Sequence, residues 1–184
     1  MTGHRKLILT AMFAFMAASP ATALAAPPKA ASLFAHAQAE ARSQHKHILL
    51  VFSASWCGPC KLFELFLQDP QMSSITEKAF VLQRIDVGER KTDTQHVNTP
   101  GGTELRATLG AVEEPGFPFL VMTDENGTPL VNSYIDGDVH INIGYPASPR
   151  EIAWYIEMLK RAAPSLSPAD LAATRLWLQQ HSPH

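Results

Sequence analysis

The sequence predicts an α/β fold: a central, mixed four-stranded sheet flanked by helices, with one extra helix at the C-terminus. Three observations lead there. The run Ile48-Leu49-Leu50-Val51-Phe52 is apolar at every position, as strands buried on both faces of a sheet are. Helix, strand, helix and strand patterns follow one another from Ser32 to Asp86, and a strand–helix–strand unit makes a parallel pair with a right-handed crossover. Asp124-Glu125-Asn126-Gly127 then puts a strong turn signal between two further apolar stretches.

The elements follow in chain order. Ala26 to Lys29 is a Pro- and Ala-rich lead-in. Ser32 to Ser43 carries Leu33, Phe34, Ala37 and Ala41 at helical spacing, a modest apolar stripe that can cover one face of a sheet. Ile48 to Ser53 is the first strand. The helix after Cys60 includes Leu62, Phe63, Leu65, Phe66 and Leu67 and is interrupted at Asp69-Pro70; Pro70 fits the first turn of a second helix reaching toward Ala79. Phe80 to Asp86 is the second strand. The polar stretch Val87 to Gly102 is longer than most connections in compact domains. It leaves the C-terminal end of a strand parallel to the first, so it is expected at the active-site edge, as a specificity element or a plain surface insertion. Thr103 to Leu109 forms a short helix. Phe119 to Thr123 and Val131 to Ile135 pair as the hairpin. Ser148-Pro149-Arg150-Glu151 reads as a capping box opening a helix through about Arg161, and Ser167-Pro168-Ala169-Asp170 opens the last helix in the same manner. That helix carries Leu171, Leu176, Trp177 and Leu178, which pack on the domain or, in the competing reading, serve a partner.

The N-terminus reads as an export signal. A basic start at His4, Arg5 and Lys6 precedes an apolar stretch from Leu7 to Ala18 and the small-residue site Ala23-Leu24-Ala25. The apolar stretch is shorter than the roughly 20 residues a bilayer span needs, so cleavage is expected after Ala25, with Ala26 as the alternative site; an uncleaved anchor is the competing reading. No Cys follows the stretch to take a lipid. Removing residues 1–25 leaves 159 residues with 13 Lys and Arg against 17 Asp and Glu. That balance gives no sign of nucleic-acid binding. The expected organisation is a signal peptide over 1–25, one domain over 26–163 and a helical extension over 164–184, in a periplasmic protein that works as a monomer.

The chemistry is concentrated in Trp56-Cys57-Gly58-Pro59-Cys60, which holds both cysteines of the chain. A strand running into this motif and out into a helix puts Cys57 at a helix N-terminus. There, unpaired N–H groups and the positive end of the helix dipole favour a thiolate. Cys60, one turn on, can attack a mixed disulfide formed at Cys57 and release the partner. Structural zinc needs about four ligands, and no second Cys pair or nearby His-x3-His supplies them. Covalent haem needs His after the second Cys, where Lys61 stands. A purely structural bridge over so short a loop would constrain the unfolded chain little. Redox chemistry leads. His45 and His47 flank the first strand as surface residues do more often than metal ligands. No metal or organic cofactor is indicated. Trp56 is expected to shield the disulfide and meet partners, although packing alone would also account for it, and Lys61 to add positive field beside Cys57.

With this motif, this element order and Gly116-Phe117-Pro118-Phe119 ahead of the third strand, the chain resembles the thioredoxin superfamily over about residues 30–162. The stretch from Trp56 through Lys61 to Asp69-Pro70 looks most like secreted thioredoxin-like proteins and the C-terminal domain of periplasmic disulfide reductases. The resemblance implies a thioredoxin-like fold and a thiol–disulfide oxidoreductase in which Cys57 attacks and Cys60 resolves. It implies a cis bond before Pro118 facing the cysteines, substrate pairing along the backbone of Phe117, and close approach of substrate at Gly144. Trp56, Gly58 and Pro59 complete the substrate face. Two departures stand out. Thioredoxins proper carry a buried Asp where this chain has Val51 and a Lys where it has Leu82, so the usual proton acceptor for the resolving thiol is missing. Glu64, four residues after Cys60, is the candidate replacement if it is partly buried; otherwise it is a solvated helix glutamate. Ser53 stands where many thioredoxins have a second Trp.

Gly-Pro between the cysteines matches thioredoxin, whose potential of about −270 mV is strongly reducing. A disulfide reductase is therefore expected, acting on protein disulfides and, in an oxidising compartment, needing a membrane or periplasmic electron-donor protein. A dithiol oxidase or isomerase is the alternative direction, and a redox-switched protein- or metal-binding module the alternative class.

Overall fold

The computed structural model describes residues 28–112 and 114–183; the export signal read over residues 1–25 lies outside them. Ten helices and strands follow in the order α1 (Ala30–Gln44), β1 (His47–Ser53), α2 (Gly58–Gln68), α3 (Pro70–Ala79), β2 (Phe80–Asp86), α4 (Gly102–Thr108), β3 (Phe119–Thr123), β4 (Pro129–Asn132), α5 (Pro149–Ala162) and α6 (Pro168–Gln180). The four strands make one mixed sheet in the order β2-β1-β3-β4. β1 pairs parallel with β2 and antiparallel with β3, and β3 pairs antiparallel with β4. β1 is thus central, which is what its unbroken apolar run requires.

Side chains alternate across the sheet and divide the core in two. Leu49, Val51, Leu120 and Met122 point into a layer shared with Phe63 and Phe66 of α2, Met72 and Ile75 of α3, and the buried faces of α5 and α6. Ile48, Leu50, Phe52, Phe119 and Val121 point the other way, against Ala30, Ala37 and Ala41 of α1 and Leu109 after α4. The result is three layers, helices on both faces of the sheet, with the ends of β1 and α2 meeting at Cys57.

Local chemistry sets the boundaries. Asp69 ends α2 and caps α3: its carboxylate accepts from the N–H groups of Gln71 at 3.0 Å and Met72 at 3.1 Å, and Pro70 occupies the first helical position. Ser148 with Glu151, and Ser167 with Asp170, form the two expected capping boxes. Asp124 accepts from the N–H groups of Asn126 and Thr128, and Gly127 takes the positive φ of 88° that the hairpin turn needs.

The second hairpin strand differs from expectation. It runs over Pro129–Asn132 rather than 131–135, and the β3–β4 register shifts between Met122 and Thr123. Asn132 explains the early end: its side-chain oxygen accepts from the N–H of Tyr134 at 3.0 Å, turning the chain into a short 3-10 turn at Ile135–Gly137. Pro129 is tolerated because β4 is an edge strand. The segment read as an extension is built into the domain: Leu166 and Leu178 belong to the same core layer as α5, and Trp177 meets Phe66 edge-on at 5.2 Å. Among the described residues no helix is long and apolar enough to cross a membrane.

Candidate active site

β1 delivers the chain through Ala54, Ser55 and Trp56 to Cys57, which is the N-cap of α2; its sulfur accepts a hydrogen bond from the N–H of Cys60 at 3.1 Å. Cys57 and Cys60 are joined in a disulfide, and both are buried. The geometry follows from the helix: N-cap and N3 lie one turn apart on one side, with Cα atoms 5.2 Å apart. Gly58 and Pro59 between them are exposed, and no Cβ at Gly58 would touch anything within 4 Å.

The peptide bond between Phe117 and Pro118 is cis, and the Phe117 side chain packs on the small cluster of Ala54, Cys57 and Cys60. Gly144, at a φ of 55°, lies against the same backbone: a Cβ there would be 3.5 Å from the Phe117 carbonyl oxygen and 3.8 Å from Pro118 Cδ. The cysteines, Phe117-Pro118 and Gly144, far apart in sequence, therefore share one face. Asn142 secures it by donating to the Pro118 carbonyl at 3.1 Å, and Asn142 in turn accepts from the Ser133 hydroxyl at 2.6 Å.

Trp56 forms a rim of this face. It is 45% exposed, its ring meets Phe117 edge-on at 6.3 Å, and its indole N–H donates to the Gly88 carbonyl at 2.6 Å. The long segment after β2 is therefore docked at the disulfide, where its departure from the sheet placed it. Three consecutive residues make three different contacts there. A side chain at Gly88 would collide with the Phe117 ring, and its Cβ would stand 2.9 Å from that of Ala54. Glu89 accepts from the Ser55 N–H and hydroxyl, both at 2.6 Å. Arg90 lies over the Trp56 ring at 5.0 Å.

Around Cys60 the site opens into a cavity of about 180 Å³ lined by Val51, Ser53, Cys60, Phe63, Glu64, Leu82 and Arg84 among others, roomy enough for water. Val51 and Leu82 leave it apolar where thioredoxins proper carry an Asp and a Lys. Glu64 is on its wall, half exposed, 3.3 Å from Arg84 Nη1. Arg84 also holds Asp86 at 3.0 Å. Burial works against the Arg84 charge, but Asp86 and Glu64 outweigh it and raise the guanidinium pKa above its usual value.

Sequence reasoning missed Glu89, Arg106 and Asn142. Glu89 and Arg106 are the two buried charged side chains among the described residues. The Arg106 guanidinium lies over the Phe117 ring at 5.5 Å, its Nη2 is 3.8 Å from the exposed Glu114 carboxylate, and its Nη1 has no hydrogen-bond partner among the described residues. An unpartnered buried donor costs about 1–3 kcal/mol, so a charge in this place is a sign of function more than of stability. The one sequence signal for either residue was that Arg106 falls inside a short helix.

Comparison with known proteins identifies the family. A family model described as thioredoxin-like matches residues 30–125, from α1 through the turn after β3. The thiol:disulfide interchange protein DsbD of Vibrio cholerae serotype O1 is 32% identical over 101 residues, which is 55% of this chain and only 15% of that protein. Among solved structures, a disulphide isomerase from Xylella fastidiosa Temecula1 is 20% identical with a TM-score of 0.49, covering 91% of this chain and 100% of its own. The C-terminal domain of Neisseria meningitidis DsbD in the oxidised form is 22% identical with a TM-score of 0.45, covering 72% and 98%.

Proposed function

The chain belongs to the thioredoxin-like family, and on that premise we propose that it is a thiol–disulfide oxidoreductase that works as an exported disulfide reductase. The observation that carries the direction is the Cys57-Gly58-Pro59-Cys60 loop itself, whose Gly-Pro pair is that of strongly reducing thioredoxin. In the reduced protein the Cys57 thiolate attacks one sulfur of a substrate disulfide, forming a mixed disulfide and expelling the other substrate sulfur as a thiolate. Cys60 then loses its proton and attacks Cys57; the second substrate thiolate leaves, and two electrons have passed from the dithiol to the substrate. What remains is the disulfide seen here, which an electron donor must reduce for the next cycle.

The rest of the face has roles in keeping with its placement. The backbone at Phe117, fixed by the cis bond to Pro118 and the Asn142 hydrogen bond and left open by Gly144, offers a substrate strand a pairing edge. Trp56, Gly58 and Pro59 present the exposed surface around the sulfurs. Glu64 is the proton acceptor for Cys60, reached through the shared cavity. The substrates are protein disulfides, and the donor is a membrane or periplasmic protein, in line with the similarity to part of DsbD. The apolar, basic-headed N-terminal stretch supports export to the periplasm.

Equilibrating Cys57 and Cys60 against glutathione or dithiothreitol buffers tests the direction. A potential near or below about −250 mV is expected; one above about −180 mV would overturn the reductase reading in favour of an oxidase or isomerase. Cys60→Ser, which stops the cycle at the mixed disulfide, identifies substrate and donor by what it traps.

A further inference from the structure

Among the described residues, Arg106 is a buried cation with no buried counter-charge. Glu89, the other buried charge, is met by Ser55 and not by Arg106. Glu114 lies 3.8 Å away with its side chain 87% exposed, so water screens it. On the inner side the guanidinium lies over the Phe117 ring at 5.5 Å, and that ring also packs against Ala54, Cys57 and Cys60. One aromatic side chain thus separates a desolvated positive charge from the redox pair, and no described side chain between them can quench it.

We propose that Arg106 sets the redox poise of the disulfide: acting through the Phe117 spacer, its charge stabilises the Cys57 thiolate and so favours the reduced form of the pair. When the disulfide takes up two electrons and one proton, the proton resides on Cys60 and the negative charge on Cys57. A positive charge behind Phe117 lowers the free energy of that product and leaves the neutral disulfide unaffected. The other charges around the pair are Lys61 beside Cys60 and Arg90 over Trp56, both exposed; Glu89 behind Ser55, which opposes Arg106; and Glu64 with Arg84 across the cavity at Cys60. The exposed ones act through solvent and are screened by salt, whereas Arg106 acts through packed protein. Arg106 also orients Phe117, so it is a positioning residue as well as a charge.

This inference rests on the oxidoreductase chemistry and not on its direction. The potential of the unaltered protein decides the direction, and the change on substitution decides Arg106. In Arg106→Met, thiolate absorbance at 240 nm is expected to appear at higher pH. The equilibrium with glutathione is expected to shift toward the disulfide by a few-fold to about tenfold, the range for a charge acting at this remove. Arg106→Lys, which keeps the charge, is expected to retain most of the unaltered behaviour. A folded Arg106→Met with unchanged titration and equilibrium overturns the proposal. So does an Arg106→Lys shifted as far as the Met variant, because shape rather than charge would then be responsible. Should Arg106→Met not fold, the unaltered protein decides. Raising ionic strength from about 0.01 M to about 1 M shortens the Debye length from about 30 Å to about 3 Å. A thiolate titration that stays in place is the expected result, and one that moves to higher pH assigns the effect to Lys61 and Arg90 instead.

Discussion

In the proposed mechanism, Glu64 is the residue on which the rate of the second thiol exchange turns. Its carboxylate shares a cavity with Cys60 and is held there by Arg84, so it can accept the resolving proton while Arg84 keeps it in place. General acid–base assistance of this kind contributes at least about 100-fold. Glu64→Gln, which keeps shape and removes the acceptor, is expected to slow decay of a pre-formed mixed disulfide by about that factor, with attack by Cys57 little changed. Stopped-flow fluorescence of Trp56 follows both steps, and equal second-step rates in the two proteins would remove Glu64 from the mechanism. At this scale the sequence exposed whatever is contiguous. Trp56 to Cys60 is one motif, and Gly116 to Phe119 another. Glu89, Arg106 and Asn142 were not legible, because each acts on a residue far along the chain: Glu89 on Ser55, Arg106 on Phe117, Asn142 on Pro118. Nothing local marks a buried charge as buried.

Among the elements, the segment between β2 and α4 and the helix α6 each support a prediction. Gly88 lies under the Phe117 ring with no room for a side chain. Gly88→Val is expected to push Phe117 off the disulfide face and raise KM for a peptide disulfide several-fold. An unchanged KM in the folded variant would mean that this segment does not position substrate. In α6, Asp170 closes the capping box and takes the Lys78 ammonium of α3 at 2.7 Å. The Lys78 hydrogen bond, followed by those from the Ser167 hydroxyl and N–H, lowers its pKa to about 2. A carboxyl depressed on folding contributes stability above its unfolded pKa of about 4, and loses it as pH falls toward 2. Asp170→Asn is therefore expected to destabilise the protein at neutral pH by up to about 1 kcal/mol, as the capping box and the Lys78 pair lose their carboxylate, and so to lower its thermal midpoint. Near pH 2 the two proteins should converge; a constant gap across that window would assign the effect to packing instead. The boundaries most legible in the sequence were of this kind, because Asp69-Pro70, Ser148-Pro149 and Ser167-Pro168 carry cap and breaker side by side. β4 was misplaced because its limits depend on a register shift against β3 and on the Asn132 turn, and pairing partners are not written in a strand's own residues.

For the whole molecule, the sheet needs both faces covered, and the two covers are unequal. α1 and α4 close one face; α2, α3, α5 and α6 close the other. Cutting the chain at Ala163, where motif and resemblance end, takes away Leu166, Trp177 and Leu178 and bares the edge of Phe66 on α2, the helix that starts at the cysteines. Core truncations of Leu or Trp cost about 2–5 kcal/mol each, and a domain holds only about 5–15 kcal/mol in all. Removal of residues 164–184 is therefore expected to consume most of the folding free energy. The shortened chain should unfold at much lower urea concentration than the intact one, expose dye-binding apolar surface, and lose turnover because α2 no longer holds Cys57 and Cys60 in place. A truncated protein with an unchanged urea midpoint would show that α6 is an appendage free to serve a partner. Loss of turnover with an unchanged midpoint would instead place α6 in substrate binding, along the groove where Trp177, His181 and Tyr145 meet α2.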